Sequence, residues 1–323
     1  MYYLPKVKIK AMAELSRRRR NAESRYDELR NRALTNIPQL QELETEIASA
    51  CVELCRVIGI GSQAELLIKK LKQNNLSAQK KQQELLAKHG FPPDSMRVSY
   101  DCAICSDTGF SDDGHFCPCH KLLLKELEHE RLSEIFPLHK FKFENFSLEF
   151  YPQERRVEME GTLETCREYA CNFHLNMPSL FFYGETGLGK THLSGAIINE
   201  VIQQGFGVEY GRAPQLFPQM TKERFDNRLQ EHTQQALLSA DLFVLDDLGA
   251  EASNTITIEL LYNLIDTRLC KGLPSIINSN CTVHELQERY GRRIASRLLY
   301  DGYETFHFFG KDIREQKSLT SSV

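Results

Sequence analysis

A chain of 323 residues with 41% hydrophobic and 26% charged residues has the composition of a globular protein and exceeds one ordinary core, which points to about two domains and excludes a disordered chain. No run approaches the roughly 18 apolar residues that cross a membrane, and the N-terminus MYYLPKVKIK lacks an apolar signal core. A cytoplasmic protein without a membrane partner is expected. The net charge of −4 gives no overall bias toward nucleic acid, but residues 1–36 hold ten Lys and Arg against four Asp and Glu, with Arg17 to Arg20 in one run. Such a stripe suits nucleic acid, an acidic partner or a solvated helix face.

From Lys8 to Asn36 the chain has neither Gly nor Pro and is rich in Arg, Glu, Ala and Leu, and from Pro38 to Ile58 apolar residues recur at helical spacing. Two helices meeting at Ile37-Pro38 are predicted. Beyond the Gly59-Ile60-Gly61 break a third opens at Ser62 as N-cap and closes at Gly90 as C-cap. Cys51 and Cys55 lie one turn apart on the second helix and are expected to be core thiols.

Next comes DCAICSDTGFSDDGHFCPCH, Asp101 to His120. Disulfides are rare in the cytoplasm, so ten cysteines there point to metal ligation or burial. Cys102 and Cys105 form a pair able to turn around one ion, and Cys117 and Cys119 return after eleven residues rich in turn formers. Four thiolates suit tetrahedral zinc. The second pair is tighter than usual, which leaves His115 or His120 as alternative ligands and a redox or apolar role as the alternative to metal. Zinc here would stiffen a segment too small for its own core.

Beyond Tyr151 short apolar runs (SLFFYG, LFVLDD, PSIINSN) alternate with amphipathic stretches, which predicts a parallel sheet covered by helices, an α/β domain. Gly184-Glu185-Thr186-Gly187-Leu188-Gly189-Lys190-Thr191 fits the phosphate-binding loop pattern at every fixed position, with an apolar strand before it and the helical run SGAIINEVIQQ, from Ser194, after it. Inward backbone N–H groups would cradle phosphates, Lys190 would reach the terminal ones and Thr191 would ligate magnesium. The run Leu242 to Leu245 ends in Asp246-Asp247. Asp246 would hold the magnesium and Asp247 would polarise the attacking water, so ATP hydrolysis is expected. The run Ser275 to Asn278 delivers Ser279 and Asn280, whose amide can point at the γ-phosphate. A turn role for Asn278, and plain surface charge for Arg292 and Arg293, are the alternatives to a part in the site. Arg297 and Arg314 are the arginines expected to act on nucleotide.

With GETGLGKTHL, LFVLDDLGAE, INSN, GRRIASRL and GKDIRE in view, residues 143–314 resemble the AAA+ ATPase domain of bacterial replicative helicase loaders of the DnaC/DnaI type. Upstream, LLAKHGFPPD, YDCAICSDTGF with its CPC, and FENFSLEFY resemble the longer members. The resemblance implies that Asp247 is the second acid of the pair, that Asn280 senses the γ-phosphate, that Arg297 is an arginine finger and that Arg314 contacts nucleotide from the last subdomain. His192 falls within the implied nucleotide site. Implied with them are ATP, Mg2+ and Zn2+, a hexameric replicative helicase and single-stranded DNA as partners, and self-association through the ATPase domain. The implied organisation is a helical helicase-interaction arm over 1–95, a zinc-binding segment and linker helix over 96–142, and the ATPase domain over 143–323. The stretch Arg212 to Arg228 departs from the family's DNA-facing segments. A transposition helper of the IstB kind and a zinc-stapled DNA-binding or scaffolding module switched by ATP are the alternatives.

Overall fold

Proline at the first helical position loses no hydrogen bond and arrives with its φ preset, and α1 (Pro5–Asn36) opens that way. The structure, a computed structural model, describes the backbone of residues 2–58, 65–226 and 232–320. The chain divides into two units, Met12–His120 and a second made of Met1–Ala11 with Lys121–Val323. Among the described residues no helix is long and apolar enough to cross a membrane.

In the first unit α1 is followed by α2 (Gln39–Ile58) and α3 (Glu65–Lys88). Ala33, Ile37, Leu40 and Leu86 form its buried core. Three arginines of the run pair along the helix: Arg17 and Arg18 share Glu14, and Arg19 pairs with Glu23, at spacings of three or four residues. Those spacings bring side chains together on one helix face. After α3, Gly90 takes φ +76°, and the N–H groups of Gly90 and Phe91 bond back to Ala87 and Leu86. This is a Schellman end, satisfying carbonyls that the helix leaves open. Ser62 and the Gly59-Ile60-Gly61 break lie outside the described residues, as do the side chains of Cys51 and Cys55.

The second unit is built on a parallel five-stranded sheet in the order β2-β3-β4-β1-β5. The strands are β1 (Ser179–Tyr183), β2 (Val208–Arg212), β3 (Leu242–Leu248), β4 (Ser275–Ser279) and β5 (Tyr303–His307). Both faces are buried, so the central strands read as continuous apolar runs rather than alternating ones. One face carries α4 (Pro118–Ile135) from Leu132 on, α5 (Arg156–Cys171) and α6 (Lys190–Gln203). The other carries α7 (Ala213–Phe225), α8 (His232–Leu237), α9 (Thr255–Cys270) and α10 (Val283–Tyr300). A capping box between Thr282 and Glu285 starts α10, and α11 (Ile313–Thr320) ends the described chain. The first residues join this unit through specific bonds, since the Tyr2 N–H donates to Asp241 at 2.7 Å and the Tyr3 hydroxyl to the Gly205 carbonyl at 2.5 Å.

Strand order decides where the chemistry gathers. β4 lies between β1 and β3, so the loops leaving the carboxyl ends of these three neighbours open on one side of the sheet. In open α/β sheets ligands bind at that edge.

Candidate nucleotide cleft and cysteine centre

The turn after β1 needs backbone that residues with a Cβ avoid: Gly184, Gly187 and Gly189 all have positive φ. At Gly187 a Cβ would also lie 2.1 Å from the Asp312 carboxyl group. Gly189 is the N-cap of α6, and Lys190 is its first residue. The Lys190 ammonium is buried and donates to the carbonyls of Gly184 and Glu185, each at 2.6 Å. Burial holds its pKa down to about 8, against the pull of Asp246 and Asp247.

The two aspartates are successive, yet both work on this side of the sheet. A register shift between Leu245 and Leu248 marks a bulge in β3, and Asp247 sits inside it at φ +57°. An extra residue breaks the alternation of the strand. Asp246 therefore meets the Thr191 hydroxyl, which donates to it at 3.1 Å, while Asp247 lines the cleft. Asp246 also accepts from the Asn278 amide at 2.8 Å and the Tyr210 hydroxyl at 2.9 Å. Asp247 is ion-paired with Arg212, at the end of β2, whose Nε and Nη2 donate to Oδ2 at 2.9 and 2.5 Å.

The cleft has a volume of about 280 Å³. Thr186 to His192, Asp247, Asn280 and Arg314 line it, and so does an aromatic wall with Phe141, Phe146 and Phe150. That wall is tied to the loop at two points. The Tyr151 hydroxyl donates to the Leu188 carbonyl at 2.5 Å, and His192 Nε2 lies 2.8 Å from the Lys142 carbonyl oxygen. Burial lowers the His192 pKa, and its ring meets Phe141 and Phe146 edge-on. Glycine loop, buried cation, paired acids and aromatic wall make a site able to hold a phosphorylated planar ligand with a divalent ion.

The second centre lies in the helical unit. The Sγ atoms of Cys102, Cys105, Cys117 and Cys119 all lie within 4.8 Å of one another. Two pairs approach to 3.7 Å (Cys102 with Cys117) and 3.4 Å (Cys105 with Cys119). Tetrahedral thiolates about 2.3 Å from one zinc ion would be about 3.8 Å apart. The turn is shaped by Asp107, which accepts from the N–H groups of Asp101 and Cys102 at 2.9 Å each. The Gly109 N–H donates to the Cys105 sulfur at 3.4 Å, the kind of contact that orients a metal ligand. Backbone N–H groups, that of Cys105 foremost, bring the Cys102 thiol down to about 7. Among the described residues neither histidine joins the group. His120 is buried with Nδ1 3.2 Å from the Gly109 carbonyl oxygen, and His115 is exposed. Donor set and spacing fit zinc.

The model of the family described as IstB-like ATP binding protein matches residues 129–302, more than half of the chain. This chain belongs to that family. It is similar to the replicative helicase loader DnaC of Escherichia coli (strain K12), 30% identical over 171 residues covering 51% of this chain and 66% of the relative. It is also similar to the replicative helicase loader DnaI of Bacillus subtilis (strain 168), 29% identical over 138 residues covering 38% of this chain and 43% of the relative. A crystal structure of DnaI covers 54% of this chain and 93% of its own at 20% identity, with a TM-score of 0.47. The chain thus spans just under two thirds of the DnaC relative and less than half of the DnaI relative.

Within this IstB-like chain Arg297 stands apart from the cleft. It pairs with Asp266 and with Asp301, the latter at 3.0 Å, and lies over the Tyr262 ring. Asn278, the last residue of the run expected as a strand, is buried in β4 between Asp246 and Ser194. Tyr210, Arg212 and the aromatic wall were not foreseen from the sequence. A signal existed for the wall in the run of aromatics from Phe141 to Tyr151. None existed for Tyr210 and Arg212, because only strand pairing brings β2 beside β3.

Proposed function

We propose that this chain is an ATP-dependent loader that places a hexameric replicative helicase on single-stranded DNA. The convergence of the glycine loop, Asp247, Asn280 and Arg314 around one cleft, with Asp246 bonded to Thr191 of its wall, carries the ATPase half of this reading, and the names of the DnaC and DnaI relatives support the loader half. Lys190 and Arg314 bind the terminal phosphates, Thr191 and Asp246 hold magnesium, and Asn280 orients the γ-phosphate or its water. When bound, magnesium neutralises charge developing on the phosphate oxygens. Asp247 positions the attacking water and takes its proton. The cysteine centre holds zinc, the helical unit grips the helicase, and the protein acts in the cytoplasm.

Replacing Asp247 by Asn tests turnover directly. Nucleotide affinity should persist while hydrolysis falls about a hundredfold or more, measured by phosphate release beside a binding titration. Unchanged hydrolysis in the variant would remove Asp247 from the mechanism, and a parent protein that binds ATP without turnover would leave only the reading of a conformational switch. Capture of a replicative helicase by the full chain, with helicase activity on coated single-stranded DNA as readout, decides between loader and transposition helper. The cysteine centre and helical unit upstream of the motor favour the loader.

Arg297 we assign to the neighbouring protomer's site, because in its own chain it lies outside the cleft lining. Arg297→Ala should lower hydrolysis without lowering nucleotide affinity. Mixed with Lys190→Ala protein it should regain activity, since one mutant supplies an intact pocket and the other an intact finger. Co-assembled mutants with no regained turnover would confine Arg297 to a structural role.

A further inference from the structure

Asp246 is gripped on both oxygens by groups that are not among those lining the cleft. The Tyr210 hydroxyl donates to Oδ2 at 2.9 Å and the Asn278 amide to Oδ1 at 2.8 Å. The Ser194 hydroxyl donates to the Asn278 carbonyl oxygen at 2.9 Å, which determines the end of the amide that faces the acid. Both donors are neutral. They orient the carboxylate without cancelling its charge, in contrast to Asp247, whose partner is the Arg212 guanidinium.

The aim of that hydroxyl is set by packing. The Tyr210 ring lies 4.4 Å from that of Phe136, which stacks at 4.7 Å on Phe141, a residue of the cleft wall. The rings come this close to α6 because residue 195 is glycine: a Cβ there would meet Phe141 at 2.7 Å and Phe136 at 2.9 Å. A ring packed this closely against an aromatic neighbour has little rotamer freedom to lose when its hydrogen bond forms.

We propose that Tyr210 is a positioning residue for the divalent cation held by Thr191 and Asp246, presenting the carboxylate to the ion in one orientation. This rests on the magnesium–nucleotide reading of the cleft. Groups that orient a metal ligand from behind typically contribute about 10–100-fold to metal affinity.

The test is Tyr210→Phe in the full chain, which removes one oxygen atom and keeps the ring. Binding of a fluorescent ATP analogue is measured in EDTA and across a magnesium titration, beside thermal melting. The expected result is unchanged affinity in EDTA and a magnesium half-saturation point raised about tenfold or more. A half-saturation point equal to the parent's overturns the inference while leaving the nucleotide reading intact. Equal loss of affinity with and without magnesium also overturns it, because it marks general loosening of the cleft. A parent protein whose nucleotide affinity ignores magnesium overturns the underlying reading, and the inference with it.

Discussion

Lys190→Met is expected to weaken nucleotide binding by roughly a hundredfold, the consequence of losing one or two charge-assisted hydrogen bonds of about 1.5–3 kcal/mol each. Without nucleotide the same variant should melt no lower than the parent, which separates function from folding. The Lys190 ammonium is buried and, among the described residues, donates to the neutral carbonyls of Gly184 and Glu185, so the fold carries the cost of a partly desolvated charge. Methionine keeps much of the stem's volume and removes that charge. The pH dependence has the corresponding sign. The folded-state pKa, held to about 8 by burial, lies below the ordinary lysine value of about 10.4. Between these values the unfolded chain keeps a proton that the native state has released, so this group makes the parent more stable as pH rises through that window. Lys190→Met should lose that rise. Calorimetric melting at pH 7, 8.5 and 10, with a nucleotide titration at pH 7, checks both parts. Unchanged nucleotide affinity would sink the phosphate-loop assignment.

The second large effect is expected in the helical unit. Cys117 has no exposed surface, and its sulfur lies 3.7 Å from that of Cys102. Cys117→Ser should reduce the zinc content from about one ion per chain to none detectable, because a structural zinc site contributes about 10 kcal/mol or more to the folding of its segment. The residues around Asp101 to His120 should then become the first site of limited proteolysis. The nucleotide cleft should still bind ATP, since none of the residues lining it belongs to the cysteine segment. Elemental analysis and proteolytic mapping read the two outcomes. Zinc retained in the variant would point to other ligands, and His120→Ala would be the next measurement.

Local patterns made much of this protein legible. The glycine loop could be read because a phosphate cradle needs positive φ at fixed positions, and Gly184, Gly187 and Gly189 have it. The four cysteines were legible because their donor type and spacing limit what they can hold, and they do come together. The helices were legible where apolar residues repeat at helical spacing, with ends marked by residues such as Gly90, whose left-handed backbone closes α3.

Strand order left no such mark. That β4 lies between β1 and β3 determines that Asn280, Asp247 and the glycine loop line one cleft, and pairing between strands far apart in sequence is a property of the assembled sheet. The same holds for β2, whose place beside β3 lets Tyr210 reach Asp246 and Arg212 reach Asp247. The bulge that turns Asp247 into the cleft, and the association of Met1–Ala11 with the sheet rather than with the rest of α1, were likewise decided in three dimensions. The sequence by itself determined which residues carry charge, thiol and flexible backbone, because those are chemical properties of single residues and short spacings. Only the tertiary structure decided which of them meet, because burial and strand pairing join residues that the chain keeps far apart.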